Sequence, residues 1–426
     1  MIHWPAPVAT GPVRGVVVVP GSKSASARSL LLAAIAEGPS TLTGVLASRD
    51  TALMRAGLTT LGAEFTDLPD GRVLVRPSED ISGGGTIDCG LAGTVMRFLP
   101  PLAALASPAT SFIGDAAASA RPVGPLLTAI AALGAEVSQP HRLPFTVSGA
   151  PAVRGGSVTV DASLSSQFVS ALLLAGARYP DGLEVSHRGS TLPSLPHIEM
   201  TITLLARRGV RVDRPAPFTW RVAPGPIAAC DETIEPDLTN AATLLAAALV
   251  TGGELTTAWP EVSVQAADEL LAVLAAFGAR ISCSGDGAGR VVAVSGADGV
   301  HGADVDLQAV SELTPVAAAL AAVASGPSLI RGVAHIRGHE TDRLGALAAE
   351  LAGLGVDVTE TDNGLSVTPT ERHGGTFHTR ADHRLAHAAA LLGLVTPGVE
   401  LDDVGCTSKT LPDFVGIWTR IVGAAS

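Results

Sequence analysis

Two lysines stand out among the side chains of this sequence that could do chemistry. Of the 28 basic residues only Lys23 and Lys409 are lysines, and they occur in similar settings, Ser22–Ser24 and Ser408–Thr410. The preference for arginine everywhere else indicates that these two positions need an amine, because an ammonium group can be tuned to give up its proton and a guanidinium cannot. We therefore expect both lysines to have a chemical role.

The loop that contains Lys23 has the composition of an anion site. Pro20–Arg28 follows a strand-like segment, Val16–Val19, and opens a helix. Free N–H groups and the helix dipole make such an N-terminus attractive to phosphate. Lys23, the loop serines and Arg28 would complete the cradle, although the Walker A pattern is absent. A serine-capped helix with solvent-facing charges is the alternative that the motif alone leaves open.

Similar polar loops precede other apolar helices. Gly90–Arg97 is rich in glycine, and Gly93 would let a ligand approach the backbone closely. By itself each loop is explained as an ordinary helix cap or packing turn. Loops of this kind at one end of repeated α/β units could nevertheless face each other across a cleft and bind a small anionic substrate. The others are Arg121–Pro122, Ser165–Gln167, Ser311–Pro315, Glu340–Arg343 and Asp382–Arg384.

Composition and charge exclude several classes of protein. The net charge of −12 argues against a nucleic-acid surface, and no apolar run reaches the ~18 residues that span a bilayer. The four cysteines lie far apart without a CxxC pair, so neither a disulfide framework nor a zinc site is expected. His335 and His339 have metal-like spacing, but nothing nearby completes a site. Because Met1–Thr10 lacks a basic segment typical of a signal peptide, we expect a cytoplasmic protein.

Internal repeats dominate the organisation of the chain. An apolar helix, a glycine and a strand-like pair recur with glycines at positions 62, 134, 209, 278 and 355, which are 72, 75, 69 and 77 residues apart. A second phrase, an Ala/Leu helix followed by a strand, occurs six times, with Met96–Leu105 as one of the six helices. Six units of about 71 residues would account for the whole chain, and this length indicates βαβ-type subdomains. The Ala-rich helices should be buried and surrounded by sheets.

The repeats also predict two domains. Proline and glycine in Ala223–Pro226 mark the change from the third to the fourth unit. The strand Gly15–Val19 is expected to pair with the C-terminal half, which makes one domain discontinuous. We expect the two domains to comprise residues 1–19 with 238–426 and residues 20–237, with the active site in the cleft between them.

These motifs, in this order, resemble the 5-enolpyruvylshikimate-3-phosphate (EPSP) synthase family over the whole chain. The resemblance implies a two-domain inside-out α/β barrel in which each domain has three βαβαββ repeats around buried helices. It also implies transfer of the enolpyruvyl group of phosphoenolpyruvate to the 5-hydroxyl of shikimate 3-phosphate, without metal or cofactor. A monomer that acts only on small molecules, and inhibition by glyphosate in the phosphoenolpyruvate pocket, are further expectations.

The resemblance assigns roles to individual residues. Glu312 would take the hydroxyl proton, and Lys23 and Glu340 would handle proton exchange at the enol carbon. The residues expected to bind shikimate 3-phosphate are Lys23, Ser24, Arg28, Ser165, Ser166, Gln167, Ser194, Glu312 and His339. Those expected to bind phosphoenolpyruvate are Lys23, Gly93, Arg121, Gln167, Arg343, Arg384 and Lys409. Departures from the common family pattern are Glu312 for aspartate, His335 for asparagine, His339 for lysine and Leu91 for asparagine.

Two other functions are compatible with parts of the pattern. UDP-N-acetylglucosamine enolpyruvyl transferase has the same fold, but that family generally carries a reactive cysteine shortly before its counterpart of Arg121. Here the loop Gly114–Ser119 has no cysteine. A non-catalytic α/β repeat scaffold would explain the repeats, but it would not explain two isolated lysines in polar loops.

Overall fold

The computed structural model describes residues 1–149 and 153–423. Its helices and strands alternate along most of the chain, as the repeats predict. The α-helices are α1 Lys23–Ala34, α2 Arg49–Thr60, α3 Gly93–Phe98, α4 Pro100–Ala103, α5 Gly124–Ala132, α6 Gln167–Gly176, α7 Leu195–Arg207, α8 Leu238–Thr251, α9 Ala267–Ala276, α10 Thr314–Val323, α11 Arg343–Gly353, α12 His383–Gly393 and α13 Phe414–Gly423. Short 3₁₀ helices lie at Ala116–Ala120, Gly287–Gly289, Ser311–Leu313, Ala334–Gly338 and Val404–Lys409.

The strands are short. They are β1 Trp4–Pro5, β2 Arg14–Val17, β3 Ser40–Thr43, β4 Glu64–Asp67, β5 Val73–Arg76, β6 Thr86–Asp88, β7 Thr110–Ile113, β8 Glu136–Val137, β9 Phe145–Ser148, β10 Gly156–Val160, β11 Leu183–His187, β12 Val212–Ala216, β13 Thr219–Val222, β14 Glu232–Thr233, β15 Glu254–Ala258, β16 Arg280–Ser284, β17 Val291–Ser295, β18 Asp304–Asp306, β19 Ser328–Arg331, β20 Asp357–Thr361, β21 Gly364–Thr368, β22 Gly375–Phe377 and β23 Val399–Leu401.

Three of the sheets repeat one topology, with strand orders β6-β7-β9-β8, β10-β11-β13-β12 and β18-β19-β21-β20. In the second of them β10 and β11 are parallel, and β13 runs antiparallel to both β11 and β12. Helix α6 connects β10 to β11 and α7 connects β11 to β12. The unit is therefore βαβαββ, which confirms the predicted repeat.

The other three sheets take a strand from a distant part of the chain. Their orders are β14-β3-β5-β4, β16-β17-β15-β2 and β1-β23-β22. Gly15 of β2 pairs with Leu255 of β15, so the N-terminal strand joins the C-terminal half as expected. The first unit comprises residues 1–20 and 236–426, and the second residues 21–235. The chain returns to the first unit only after β14, because β14 still pairs with β3.

The repeated glycines end helices in the left-handed backbone conformation. Gly62, Gly134, Gly209, Gly278 and Gly355 have φ angles of 111°, 100°, 77°, 101° and 90°. A side chain is disfavoured at these angles, whereas glycine adopts them without a steric penalty and lets the chain turn into the next strand. The sequence prediction for these turns is confirmed.

The Ala-rich helices form the centre of each unit. In the first unit α10 packs against α8, α12 and the strands β19 and β21. In α10 the residues from Thr314 to Ala322 are all buried, and so are those of α12 from His383 to Gly393. In the second unit α6 is buried from Phe168 to Gly176. Alanine permits this because a methyl side chain lets neighbouring helices approach closely, and the predicted buried helices are confirmed.

The prediction of one continuous helix over Met96–Leu105 is wrong. Met96–Leu105 is divided into α3 and α4 at Leu99. Pro100 and Pro101 cause the division, because proline lacks a backbone N–H and disfavours helical geometry in the residue before it. Across the described ranges 1–149 and 153–423, no helix has the length and apolar character needed to cross a membrane.

Candidate active site

The first group of predicted site residues lies at helix starts in the unit of residues 21–235. Lys23 and Gln167 are the first residues of α1 and α6. Ser166 and Ser194 are the N-cap residues of α6 and α7. The first turn of a helix has backbone N–H groups without intrahelical partners, so these positions suit an anionic ligand.

Arg28 is buried and is held by neutral groups. Its Nε donates to Thr201 Oγ1 at 2.7 Å, and its Nη2 donates to the carbonyl of His197 at 3.1 Å and to Ser170 Oγ at 3.3 Å. Burial lowers the pKa of Arg28 to about 9. Three elements, α1, α6 and α7, therefore hold a guanidinium whose charge is not opposed by a carboxylate among these contacts.

Lys23 lies near one carboxylate. Its Nζ is 3.8 Å from Asp50 Oδ2, and about a fifth of the Lys23 side chain is exposed. Ser22 Oγ caps α1 by accepting from the N–H of Ala25, while Arg28 Nη1 donates to the backbone carbonyl of Ser24. The loop therefore has both the serine cap and the charged side chains. A capped helix and an anion site, the two explanations of this motif, do not exclude each other.

Gly93 contacts the guanidinium of Arg121 directly. A Cβ atom on Gly93 would lie 2.9 Å from Arg121 Nη2 and 3.1 Å from its Cζ. Arg121 is itself fixed, because it is mostly buried and its Nη1 donates to the carbonyl of Leu91 at 2.9 Å. Two residues that the resemblance assigns to one pocket are thus in contact, and the absence of a side chain at Gly93 is what makes room for Arg121.

Gln167 is positioned by a residue that sequence reasoning did not select. Arg97 Nη1 donates to Gln167 Oε1 at 2.8 Å, and Arg97 Nε and Nη2 donate to the carbonyl of Pro122, next to Arg121. The Arg97 guanidinium also lies over the ring of Phe168. Arg97 belongs to the glycine-rich motif of the sequence, but its bond to Gln167 forms only because α3 packs against α6.

The serines differ in their local geometry. Ser165 Oγ accepts from the N–H of Gln167 at 3.3 Å, whereas Ser166 is buried at the start of α6. Ser194 has a φ of +50° and a ψ of +46°. A left-handed conformation is strained in a residue with a side chain and commonly marks a functional position. Ser194 is therefore held in an unusual conformation immediately before α7.

The second group surrounds Arg343 in the other unit. Arg343 is fully buried as the first residue of α11, and its Nε and Nη2 donate to Asp382 at 2.7 and 3.2 Å. Its Nη1 donates to Glu312 Oε2 at 2.8 Å. Nη2 donates to Glu340 Oε2 at 2.9 Å, and Nη1 also contacts His339 Nδ1 at 2.9 Å. Since a guanidinium has five N–H groups, all of them are used by the chain itself.

The charges around Arg343 shift the pKa values of the cluster. Burial alone would lower the pKa of Arg343, but Asp382, Glu312 and Glu340 outweigh this effect and raise it well above its ordinary value. Burial alone would raise the pKa of Glu312, but the positive charge of Arg343, with a smaller contribution from Arg384, holds it well below its ordinary value. Glu312 is therefore ionised at neutral pH.

Lys409 extends this cluster. It ends the 3₁₀ helix Val404–Lys409, and its Nζ donates to Glu340 Oε1 at 2.7 Å. Glu340 thus bridges Lys409 and Arg343, with one oxygen toward each. The sequence predicted a functional amine at this position, and the structure adds the carboxylate that it contacts.

His339 is neutral in this arrangement. Burial lowers the pKa of His339 to about 3, and the charge of Arg343 lowers it further. These effects outweigh the charges of Glu312 and Glu340, which would raise the pKa. Because a guanidinium only donates, His339 Nδ1 must accept from Arg343 and its proton lies on Nε2. Burial likewise lowers the pKa of His335 to about 4, and His335 Nε2 bonds with Ser311 Oγ. The described residues contain no group of three or more histidine, cysteine or acidic side chains arranged to hold a metal ion.

Arg384 is bound mainly by a neutral side chain. Its Nη1 donates to Asn240 Oδ1 at 2.9 Å, whereas Glu312 Oε2 lies 3.6 Å from its Nε, too far for a hydrogen bond. Asn240 is a second residue that the sequence analysis missed. Nothing in the sequence of α8 distinguishes Asn240 from a buried polar residue that has only a structural role.

The loop before α12 is strained. Arg380 and Ala381 have positive φ angles of 53° and 57°. The bond between Arg380 and Glu350 and the two bonds from Thr379 to Asp402 Oδ1 hold this turn. Each left-handed residue costs on the order of 1–3 kcal/mol. The surrounding hydrogen bonds offset this cost and fix Asp382, the partner of Arg343.

Comparison with known proteins gives one family. The family described as EPSP synthase (3-phosphoshikimate 1-carboxyvinyltransferase) matches residues 8–418. A curated 3-phosphoshikimate 1-carboxyvinyltransferase from Kocuria rhizophila is 51% identical over 434 residues, which cover 99% of this chain and 97% of the relative.

Solved structures are similar to the whole chain. An EPSP synthase from Acinetobacter baumannii has a TM-score of 0.82 at 22% identity, with 98% of both chains covered. The enolpyruvyl transferase NikO from Streptomyces tendae has a TM-score of 0.77 at 20% identity, covering 98% of this chain and 96% of its own. At these identities the two structures support the fold, which agrees with the predicted two-domain α/β architecture.

Proposed function

Because the chain belongs to the EPSP synthase family, we propose that the two groups of residues described above carry out that family's reaction. The protein transfers the enolpyruvyl group of phosphoenolpyruvate to the 5-hydroxyl of shikimate 3-phosphate, a step of aromatic amino acid biosynthesis in the shikimate pathway. The comparisons do not favour UDP-N-acetylglucosamine as the acceptor. The roles of individual residues are the proposal.

The reaction requires proton transfer at two atoms. The 5-oxygen of shikimate 3-phosphate forms a bond to C2 of phosphoenolpyruvate and loses its proton, while C3 gains a proton and becomes a methyl group. The resulting tetrahedral ketal phosphate then loses phosphate as the C2–O bond breaks, and C3 gives up a proton to restore the double bond. A base near the hydroxyl and an acid near C3 are therefore needed.

We assign the base role to Glu312. Its carboxylate is ionised because of the nearby arginines, and about a third of its side chain is exposed, so a substrate hydroxyl has access. Compared with aspartate, glutamate extends one methylene further from its backbone. Its depressed pKa makes Glu312 a weak base, so the hydroxyl proton should leave only as the C2–O bond forms.

We assign protonation at C3 to Glu340 together with Lys23. In the first unit the Lys409 ammonium, which donates to Glu340 Oε1, can supply the proton that Glu340 passes to C3. The partly exposed Lys23 is the counterpart in the second unit. Each unit then supplies part of the acid–base machinery. The proposal requires that both lysines act on the same pair of substrates.

In this proposal, Arg384 and Arg343 are two of the ligands of phosphoenolpyruvate, and they differ in how the chain itself holds them. Arg384 has hydrogen-bonding capacity remaining, because Nη1 alone of its side-chain nitrogens forms a hydrogen bond among the described residues. Arg343 can bind the substrate only by giving up a bond to Glu312 or Glu340, since its five N–H groups are used. The other proposed contacts are Lys23, Gly93, Arg121, Gln167 and Lys409.

Shikimate 3-phosphate is bound, in this proposal, around the starts of α1, α6 and α7. The charge of Arg28 is held by neutral partners at the junction of these helices and so attracts a phosphate group. The proposed contacts are Lys23, Ser24, Arg28, Ser165, Ser166, Gln167, Ser194, Glu312 and His339. Since His339 is neutral, it would act through its Nε2–H rather than as a cation.

The observation that carries the proposal is the convergence of Glu312, Glu340 and Asp382 on buried Arg343. Packing alone gives no reason to surround a buried guanidinium with three carboxylates, two of which are also buried, because desolvation of the charges is costly. Release of phosphate from a mixture of protein, phosphoenolpyruvate and shikimate 3-phosphate tests the activity. Replacing the acceptor by UDP-N-acetylglucosamine tests the other enolpyruvyl transferase, and no release with either acceptor would support a scaffold.

We also propose that the protein acts as a cytoplasmic monomer without a nucleic-acid partner. The four cysteines, all in the described part of the chain, are free thiols, which suits a reducing compartment. A net charge of −12 disfavours binding to a polyanion. Sedimentation equilibrium tests the oligomeric state, and a mass of twice 42.8 kDa would contradict a monomer. Cell fractionation and gel-shift assays test the other two statements.

A further inference from the structure

Asn240 connects two of the proposed anion-binding elements in the first unit. It lies in the first turn of α8 and is fully buried. Its Oδ1 accepts from Arg384 Nη1 at 2.9 Å and from the Thr410 hydroxyl at 3.3 Å. Its Nδ2 donates to the carbonyl of Thr410 at 2.9 Å. Thr410 directly follows Lys409, so one amide group holds both Arg384 and the end of the loop that carries Lys409.

One edge of Arg384, formed by Nε and Nη2, has no hydrogen bond to the described residues. Among the described residues Nη1 is the side-chain nitrogen that forms a hydrogen bond, whereas Nε is buried without one. The nearest acidic atom, Glu312 Oε2, is 3.6 Å from Nε. A guanidinium binds a carboxylate or phosphate through two parallel N–H groups, and the edge formed by Nε and Nη2 provides such a pair.

The contacts of Arg343 show what a carboxylate in place of the Asn240 amide would do to Arg384. Three carboxylates use its N–H groups and compensate its charge. An amide oxygen instead accepts a hydrogen bond without bringing a negative charge, so Arg384 stays oriented and its charge stays available for an anion. Asparagine therefore supplies at position 240 something that neither aspartate nor an apolar side chain would supply.

We propose that Asn240 is a positioning residue for phosphoenolpyruvate, which sets the ligand-binding edge of Arg384 and the position of the Lys409 loop through the same amide. This inference rests on the proposed role of Arg384 in binding phosphoenolpyruvate. It goes beyond that role because Asn240 does not touch the substrate and acts through two residues that do.

Asn240→Leu removes both functions of the amide at similar side-chain size. We expect the KM for phosphoenolpyruvate to rise at least about ten-fold, because a buried donor of Arg384 loses its partner and the guanidinium reorients. The dissociation constant of shikimate 3-phosphate should change by less than about two-fold. Asn240→Asp, which keeps the shape and the acceptor but adds charge, should also raise the KM for phosphoenolpyruvate. If Asn240 only filled space, Asn240→Asp would leave the KM for phosphoenolpyruvate unchanged relative to the dissociation constant of shikimate 3-phosphate.

The matched control is Thr243→Val in the same helix. Thr243 is buried, and its hydroxyl donates to the carbonyl of Thr239 within α8. Its removal should lower the thermal midpoint without changing the KM for phosphoenolpyruvate. If Asn240→Leu and Asn240→Asp both fold and leave this KM within about two-fold of the parent value, the inference is wrong.

A double-mutant cycle separates this inference from the proposed function. Arg384→Lys alone should raise the KM for phosphoenolpyruvate, and if it does not, the proposed role of Arg384 fails. If Arg384→Lys raises the KM while Asn240→Leu does not, only the inference fails. When both are correct, the effects of Asn240→Leu and Arg384→Lys are strongly non-additive, whereas those of Thr243→Val and Arg384→Lys add.

Discussion

Replacing Gly93 by alanine would press a methyl group against the guanidinium of Arg121. The new Cβ would lie 2.9 Å from Nη2 and 3.1 Å from both Cζ and Nη1. Ordinary contacts between such heavy atoms are about 3.5–4.0 Å, so the guanidinium must withdraw by roughly 0.5–1 Å. That movement stretches the 2.9 Å bond from Arg121 Nη1 to the carbonyl of Leu91.

The expected loss is in phosphoenolpyruvate binding and not in folding. A displacement of about 1 Å in a group that orients a substrate costs up to ~100-fold, so the KM for phosphoenolpyruvate should rise by about 10–100-fold in Gly93→Ala. Alanine is a better helix former than glycine by roughly 0.5–1 kcal/mol, and Gly93 has a negative φ at the start of α3. The thermal midpoint should therefore stay close to that of the parent.

Steady-state kinetics with each substrate varied in turn measure the effect. Gly38→Ala is the matched control, because the nearest atom to its new Cβ is 3.5 Å away and is a methyl carbon of Ala229. Glyphosate adds a second readout, since its inhibition constant should rise more than the KM when a methyl group narrows the pocket for the longer ligand. An unchanged KM for phosphoenolpyruvate in Gly93→Ala, or an equal loss of shikimate 3-phosphate affinity, would refute the reasoning.

Three further predictions concern the charged residues. Lys23→Arg should fold with an unchanged thermal midpoint but lose most of its kcat, because a guanidinium does not transfer a proton; near-parental turnover would contradict the role. Glu312→Gln should lower kcat by at least about 100-fold, and because the pKa of Glu312 lies well below 4.5, the kcat–pH profile of the parent should show no inflection from this group above that pH. For His339, the pKa is about 6.5 in the unfolded chain and about 3 in the folded one, so the unfolded state binds more protons in this window and stability falls as the pH falls through it. His339→Asn should reduce that loss by up to about 2 kcal/mol near pH 5 in urea-unfolding experiments, and an unchanged pH dependence would contradict the neutral state of His339.

Local signals in the sequence were sufficient for the repeats and for the ends of their helices. Gly62 and Gly355 adopt the left-handed conformation that their position after an apolar helix predicted. The loop of Lys23 begins α1 with a serine cap, as its composition indicated. These features depend on backbone preferences that act within a few residues, so a single sequence carries them. Pro100 is also a local signal, and it divides the helix that the apolar pattern from Met96 predicted to be continuous.

The partners of the charged side chains were decided by the tertiary structure. Arg343 and Asp382 are 39 residues apart, and Asn240 is 144 residues from Arg384 and 170 from Thr410. The resemblance assigned both arginines as anion ligands. It did not distinguish Arg343, whose N–H groups are taken mostly by carboxylates, from Arg384, which is held by an amide. That difference arises because buried helices bring distant loops together, and whether a buried charge is compensated or available depends on which side chains then surround it.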